Sequence, residues 1–152
     1  MSETPSNPDA AEACAALAAL GAELARHAPF SVMSPAQVAQ FIEAARPLQF
    51  RRGEVVLQPA DGPVQTLLLV REGRITGRRG MADSAGPFEY VAGDLFPVGA
   101  VLGQRAVTAT YTANDDSVCL ALSADEVQRL ATASPAFADF LNRRLMVFLT
   151  LT

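Results

Sequence analysis

The sequence predicts a mainly β fold with flanking helices (α+β), in which a jelly-roll-like β-barrel occupies residues 48–122. Short apolar or alternating runs in this stretch are separated at even intervals by glycine-containing breakers, as in sandwiches and small barrels. No helical pattern long enough for a βαβ crossover lies between these runs. Helical caps and helical spacing precede and follow the stretch, so we expect one domain with helices at both ends.

The N-terminal part is predicted to contain a disordered leader over residues 1–8 and two helices within residues 9–47. The first helix is alanine-rich and follows the leader from Asp9 to Arg26. The pair Ser34-Pro35 starts the second helix, because Ser caps a helix N-terminus and Pro fits its first position. Apolar residues then recur at helical spacing on one face, at Val38, Phe41, Ile42 and Ala45. We expect Pro47 to end this helix.

Seven strands are predicted for the barrel, over residues 48–51, 55–57, 66–70, 74–76, 88–91, 107–113 and 117–122. Glu72-Gly73 lies between two of them and predicts a tight hairpin, because glycine adopts positive φ without strain. Threonine alternates with apolar residues at Thr108, Thr110 and Thr112, which places three hydroxyls on one face of a strand. That face is interpreted either as a polar ligand wall or as a solvated outer surface.

Helices return in residues 123–152. Ser123 and Glu126 form the pattern of a capping box, and Ser134-Pro135 starts the last helix. Residues 145–149 are apolar on nearly every side, so we expect this helix to be buried against the barrel, a partner subunit or a further segment. The sequence therefore favours a homodimer through the C-terminal helix, and a chain that is a piece of a longer protein.

The composition argues against most enzyme classes and excludes zinc, iron and copper sites of ordinary composition. The chain of 152 residues has one histidine, His27, and two distant cysteines, Cys14 and Cys119. These residues cannot assemble a zinc, iron or copper site, and they supply no nucleophile–histidine pair at a recognisable spacing. We therefore predict a protein that is not an enzyme and that has no metal or resident cofactor.

Net charge and hydropathy limit the classes of partner that the chain is expected to bind. The formal net charge is -4 and 50% of the residues are apolar, so the chain is globular and is not a general nucleic-acid binder. No apolar run is long enough to span a bilayer, and no secretory signal precedes residue 30. We expect a cytoplasmic protein that binds neither membranes nor nucleic acids.

Residues 93–113 resemble the phosphate-binding cassette of the cyclic-nucleotide-binding domain family. The segment begins with Gly93-Asp94-Leu95-Phe96 and leads into a strand that ends at Ala113. Gly53, Gly73 and Gly93 match the three structural glycines of that family, and residues 123–131 match the helix after its last strand. The other family with such a barrel, the cupins, uses barrel histidines for its metal, and residues 53–122 contain none.

The chain also resembles, more narrowly, a bacterial group that places such a domain ahead of a pair of CBS domains and a nucleotidyltransferase-like domain. The resemblance rests on Pro29-Phe30 and on residues 70–77, 93–103 and 105–113. It implies that downstream regulatory or nucleotidyltransferase-like domains are the partners of this module.

The cassette departs from the family pattern at its two contact positions. The family has a glutamate for the ribose hydroxyl and an arginine for the cyclic phosphate, and Val98 and Val107 stand at the matching positions. Arg105 lies two residues before the arginine position, and Thr108 matches the family's Ser/Thr. The backbone amides of Gly99, Ala100 and Ala109 are the remaining candidates for an anion-binding nest.

These observations favour a non-catalytic regulatory or sensor module with a degenerate cassette, which does not bind cAMP in the usual way. Its ligand would be a small anion held by Gly99, Ala100, Arg105, Thr108 and Ala109. The alternative is a ligand-free dimerisation or interaction module, in which Val98, Val107 and Tyr111 fill the former pocket. A lesser alternative is a true cyclic-nucleotide receptor that uses Arg105.

Overall fold

Eight strands form two four-stranded antiparallel sheets within the residues that the computed structural model describes, namely 15, 18–79 and 87–151, with side chains up to Arg144. The strands are β1 Arg46–Phe50, β2 Val55–Leu57, β3 Thr66–Glu72, β4 Arg74–Arg78, β5 Phe88–Val91, β6 Leu95–Phe96, β7 Thr110–Ala113 and β8 Ser117–Ser123. The first sheet has the order β1-β8-β3-β6 and the second has the order β2-β7-β4-β5. This arrangement confirms the predicted jelly-roll class, although hydrogen bonding divides the expected barrel into two sheets.

Helices lie at both ends of the chain, as predicted. They are α1 over residues 18–24, α2 Pro35–Ala44, α3 Val98–Gly103, α4 Ala124–Ala133 and α5 Pro135–Leu151, with short 3-10 turns at Phe30–Val32 and Pro59–Asp61. The first helix is described only from residue 18 onward, so Asp9, Cys14 and the 1–8 leader lie outside the described residues, as do the side chains of 145–149.

The two sheets differ in what covers them. In the first sheet β3 is buried on both faces from Leu67 to Val70, because α3 and α4 pack on its outer side. In the second sheet β4 alternates between exposed Arg74, buried Ile75 and buried Gly77, as a strand with one solvated face does. The shared core therefore lies between the sheets and continues under the helices of the first sheet.

The predicted hairpin at Glu72-Gly73 is wrong, because β3 and β4 belong to different sheets. Gly73 has φ +91° and forms a corner where the chain passes from the first sheet to the second. The Arg74 amide there donates to the Ser117 hydroxyl at 3.1 Å. A glycine is needed because a Cβ at this position would overlap the Ser117 side chain and lie 2.7 Å from the Asp116 carbonyl oxygen.

Strand boundaries agree with prediction at 55–57 and 88–91 and differ elsewhere. The segment predicted as a strand over 107–113 becomes extended only at Thr110, and the two-residue strand β6 was not predicted. The second helix ends at Ala44, three residues before Pro47, and Pro47 lies within β1. Proline is compatible with β1 because this strand lies at the edge of its sheet.

A buried serine joins the last two helices. The side chain of Ser134 is fully buried, and its hydroxyl accepts a hydrogen bond from the Phe137 amide at 3.2 Å, which caps the start of α5. Ser134→Ala is expected to lower the free energy of unfolding by about 1–2 kcal/mol, because a buried amide loses its acceptor. Urea unfolding measures the change, and the exposed cap variant Ser34→Ala should cost less. An equal cost for the two variants would contradict the role of burial.

Candidate ligand-binding site

The predicted cassette forms a strand, a short helix and an irregular loop that returns to the second sheet. Helix α3 follows β6 directly after Pro97, and Gln104 ends it in the left-handed conformation with φ 52°. The amide of Arg105 then donates to the Ala100 carbonyl at 3.0 Å, and the Arg105 carbonyl accepts from the Val64 amide at 3.0 Å. These bonds fix the backbone of the loop against both α3 and the segment before β3.

The two positions that depart from the family pattern are apolar and buried. Val98 is 1% exposed at the start of α3, and Val107 is 4% exposed in the loop before β7. Both belong to the hydrophobic core. Neither position presents a carboxylate or a guanidinium to the interior.

The remaining cassette residues are spread over the helix and the loop. Gly99 and Ala100 lie in the first turn of α3, where Gly99 is half-buried and Ala100 is buried. Arg105 and Thr108 are exposed, whereas Ala109 is buried. The fold thus places Gly99 and Ala100 together and connects Arg105 to Ala100 through the backbone, while Thr108 and Ala109 lie in the bend that leads into β7.

Only two of the three predicted threonines lie on the second sheet, because β7 begins at Thr110 and Thr108 lies in the bend before it. Along β7 the half-buried Thr110 and Thr112 alternate with the buried Tyr111 and Ala113. The outer-surface interpretation of the Thr110 and Thr112 hydroxyls is therefore the one that the structure supports, and the Tyr111 and Ala113 side chains enter the interior.

Four aromatic rings meet inside the jelly roll beside the cassette. The Tyr90 and Phe96 rings stack with centroids 4.7 Å apart, and the Phe96 and Tyr111 rings stack at 5.3 Å. Phe88 contacts Tyr90 and Tyr111 edge-on, at 5.8 Å and 5.9 Å. Phe96 and Tyr111 belong to the cassette segment itself, near its two ends. Among these four residues, an interior position was predicted from the sequence only for Tyr111.

Polar groups border the rings. The Tyr90 hydroxyl and the Arg79 Nε are buried and have no hydrogen-bond partner within the described residues. Burial raises the pKa of Tyr90 well above its usual range, and the neighbouring Tyr111 hydroxyl adds to the effect. Burial also raises the pKa of Tyr111, while the Tyr90 hydroxyl and the guanidinium groups of Arg79 and Arg105 oppose that rise.

A second polar group joins the start of the cassette to the last helix. Asp94 accepts from the Val91 amide at 2.8 Å, and its other carboxylate oxygen lies 3.8 Å from the Arg144 guanidinium of α5. The Arg144 guanidinium also lies 5.2 Å from the centre of the Phe140 ring. Helix α3 packs against α5 as well. The cassette and the C-terminal helix are thus in direct contact.

The predictions about cysteine and metal can be compared with the part of the chain that the structure describes. Cys119 is a buried free thiol, and burial raises its pKa to about 12, so it is a poor nucleophile. No group of three potential metal ligands occurs among the described residues. No helix within those residues has the length and apolar character needed to cross a membrane.

Several solved structures superimpose on this chain. The regulatory domain of Toxoplasma gondii PKA with cAMP matches 84% of the chain with a TM-score of 0.71 and 18% identity, and the Thermus thermophilus catabolite activator protein matches 77% with 0.66 and 21%. The sensor domain of the Pseudomonas aeruginosa regulator DNR matches 85% with 0.69 and 17%. The chain has the cyclic-nucleotide-binding fold.

The cyclic-nucleotide-binding fold of this chain agrees with the family resemblance predicted from residues 93–113. The matched regions make up 49% of the Toxoplasma chain, 55% of the Thermus chain and 92% of the Pseudomonas sensor domain. The chain thus spans about half the length of the first two proteins. No family model and no curated protein matches the sequence. The narrower resemblance to proteins with CBS pairs and a nucleotidyltransferase-like domain stays a prediction.

Proposed function

We propose that this chain is a non-catalytic regulatory module of the cyclic-nucleotide-binding fold, with a cassette that does not bind cAMP in the usual way. The observation that carries the proposal is the burial of Val98 and Val107, at 1% and 4% exposure, where the resemblance places the ribose and phosphate contacts. The regulatory part is supported by the fold shared with a kinase regulatory domain, an activator protein and a regulator's sensor domain.

The expected loss of cyclic-nucleotide affinity follows from the missing charged contacts. A hydrogen bond to a charged group contributes about 1.5–3 kcal/mol, so the loss of two such bonds removes about 3–6 kcal/mol. This corresponds to a factor of about 10² to 10⁴ in affinity, which moves a micromolar dissociation constant to about 0.1–10 mM. Val98 and Val107 cannot recover this energy, because their side chains offer no hydrogen-bond donor or acceptor.

A small anion remains the ligand class that the cassette favours. The first-turn amides of Gly99 and Ala100 point toward the N-terminal end of α3, and the Ala109 amide lies in the bend that leads into β7. Arg105 would add a guanidinium to such a ligand, and its charge already acts on Tyr111 in the interior. Thr108 would add a hydroxyl from the bend. These residues form the cassette part of the proposed binding site.

The signal would leave the module through its last helix. The Asp94–Arg144 ion pair and the packing of α3 on α5 join the ligand end to the C-terminal helix. If α5 can adopt two placements against the cassette, a ligand that binds more tightly to one of them would shift the population of the chain toward that placement. The expected recipients are a second copy of the chain, bound through α5, or downstream CBS and nucleotidyltransferase-like domains.

A second candidate is a ligand-free interaction module. The rings of Phe88, Tyr90, Phe96 and Tyr111 favour it, because centroid separations of 4.7–6.0 Å leave them in contact with one another. In this alternative the interior serves only as a core, and α5 mediates assembly without a ligand. It predicts that no small anion raises the unfolding temperature.

Thermal unfolding with about 100 µM cAMP tests the proposed function. A receptor with a micromolar dissociation constant would gain about 2.7 kcal/mol at this concentration, whereas this chain should gain less than about 0.4 kcal/mol. The unfolding temperature should therefore rise by no more than about 2 °C, rather than by about 5 °C or more. The nucleotide 5′-AMP at the same concentration controls for nonspecific effects.

A rise of about 5 °C with cAMP that is absent with 5′-AMP would contradict the degenerate cassette. The variant Arg105→Ala then identifies the cause, with Arg46→Ala on the exposed edge of β1 as its matched control. If the rise with cAMP disappears in Arg105→Ala and persists in Arg46→Ala, the lesser alternative is established, namely a true receptor that uses Arg105.

A further inference from the structure

Arg79 enters the interior of the jelly roll from the end of β4. Side chains alternate along this strand, so that Arg78 is exposed while Gly77 is buried. One residue further, Arg79 turns inward and its guanidinium lies 5.9 Å from the centre of the Phe88 ring. Its charge also acts on Tyr111. The fold thus brings a guanidinium to the aromatic rings from the end of β4, a part of the sequence that precedes the cassette.

Two buried donors beside these rings have no acceptor. The Arg79 Nε and the Tyr90 hydroxyl lack a hydrogen-bond partner within the described residues, and Tyr90 is only 7% exposed. The neighbouring Tyr111 hydroxyl and the Asp94 carboxylate both add to the raised pKa of Tyr90. Neither group is a hydrogen-bond partner of the Tyr90 hydroxyl. Buried donors in folded proteins are nearly always paired, so each of the two groups points to an acceptor that the described residues do not supply.

We propose that Arg79 and Tyr90 bind the oxyanion of a small aromatic anion inside the jelly roll. Guanidinium and phenol groups donate hydrogen bonds to carboxylates and phosphates. The rings of Tyr90 and Tyr111 border the place that the Phe88 ring occupies, so an aromatic body there would contact both. The inference rests on the proposed function, since it names the ligand class of the same module. It assigns recognition of the ligand's negative charge to Arg79, after β4, and to Tyr90, in β5. The cassette position that Val107 occupies has no part in it.

Phe88 is the ring that such a ligand displaces. It is half-buried on β5 at the edge of the second sheet, whereas Tyr90, Phe96 and Tyr111 are all buried. Its ring covers Gly77, and a Cβ at Gly77 would overlap the ring. When Phe88 rotates outward, the missing side chain at Gly77 leaves room next to Arg79 and the Tyr90 hydroxyl.

Isothermal titration calorimetry of the 152-residue chain tests the proposal. The probes are benzoate, phenyl phosphate and acetate. Benzoate and phenyl phosphate distinguish a carboxylate from a phosphate, and benzoate and acetate distinguish an aromatic from an aliphatic anion. Benzoate or phenyl phosphate should bind, and acetate should bind at least about 10-fold more weakly because it lacks the ring. Arg79→Gln should weaken the binding by about 10- to 100-fold.

The matched control is Arg78→Gln, since Arg78 is the neighbouring arginine on the exposed face of β4. Its dissociation constant should stay within about twofold of the unmodified chain, as expected for a surface charge. The proposal is overturned if neither aromatic anion binds at about 10 mM, a concentration far above ordinary ligand affinities. It is also overturned if Arg78→Gln weakens binding as much as Arg79→Gln.

Tyr90→Phe supplies a measurement that does not depend on the arginine. Without ligand it should raise the unfolding temperature, because it removes a buried hydroxyl that has no partner. It should also weaken binding of the aromatic anion by about 2- to 10-fold. A variant that binds as the unmodified chain does would overturn the role of Tyr90. Tight binding of cAMP would contradict the proposed function, while the Arg79 comparison with benzoate would remain a separate result.

Discussion

Gly73→Ala is expected to lower the free energy of unfolding by about 2–5 kcal/mol. Gly73 has φ +91°, where any side chain adds about 1–2 kcal/mol of backbone strain. A Cβ there would also overlap Ser117 and lie 2.7 Å from the Asp116 carbonyl oxygen, and such crowding costs about 1–3 kcal/mol. Both effects act at the corner that passes the chain from one sheet to the other. Urea unfolding measures the loss.

Gly53→Ala is the matched control for this variant. Gly53 has nearly the same φ, +89°, but a Cβ there would meet no atom within 4 Å. It should therefore cost only the backbone strain, about 1–2 kcal/mol. Equal losses for the two variants would show that the close approach of Gly73 to Ser117 contributes nothing to stability.

Phe96→Ala is expected to cost about 3–5 kcal/mol, as large-to-small changes of buried aromatic residues do. The Phe96 side chain is fully buried, and its ring stacks on Tyr90 at 4.7 Å and on Tyr111 at 5.3 Å. Removal of the ring leaves a cavity between two large side chains that belong to different strands. Urea unfolding should therefore show a reduced midpoint with an unchanged slope, as expected when stability alone changes.

Phe88→Ala provides the comparison within the same group of rings. Phe88 is half-buried on an edge strand, so water can replace part of its contacts and the loss should be less than half that of Phe96→Ala. A loss as large as that of Phe96→Ala would mean that Phe88 is part of the rigid core. Such a result would also contradict the outward rotation of Phe88 on ligand binding.

Much of the fold follows from local signals in the sequence. Ser34-Pro35 and Ser134-Pro135 start helices where predicted, because the cap and the following proline act within one turn. A positive φ is found at each of the three glycines that match the family resemblance, namely Gly53, Gly73 and Gly93. The assignment of strands to sheets could not be read locally, because the pairing of β1 with β8 joins residues far apart in sequence.

The site shows the same division between local and distant information. The burial of Val98 and Val107 agrees with their apolar side chains, so the altered cassette was visible in the sequence. The ring group was not, because Tyr90 and Tyr111 become neighbours only when β4 pairs with both β5 and β7. Arg79 was missed for a similar reason: its direction depends on the alternation that starts inside β4.

The position of β8 in the first sheet has a consequence for how the chain folds. This strand lies between β1 and β3, and its Ser117–Ala121 segment pairs with Phe50–Arg46. All four strands of the second sheet lie between the two segments in sequence, so a long loop must close before they can pair. Domains dominated by such distant contacts fold in milliseconds to seconds, more slowly than helical domains of similar size. During synthesis β1 therefore has no partner until β8 has left the ribosome, and the first sheet can be completed only when this last strand emerges.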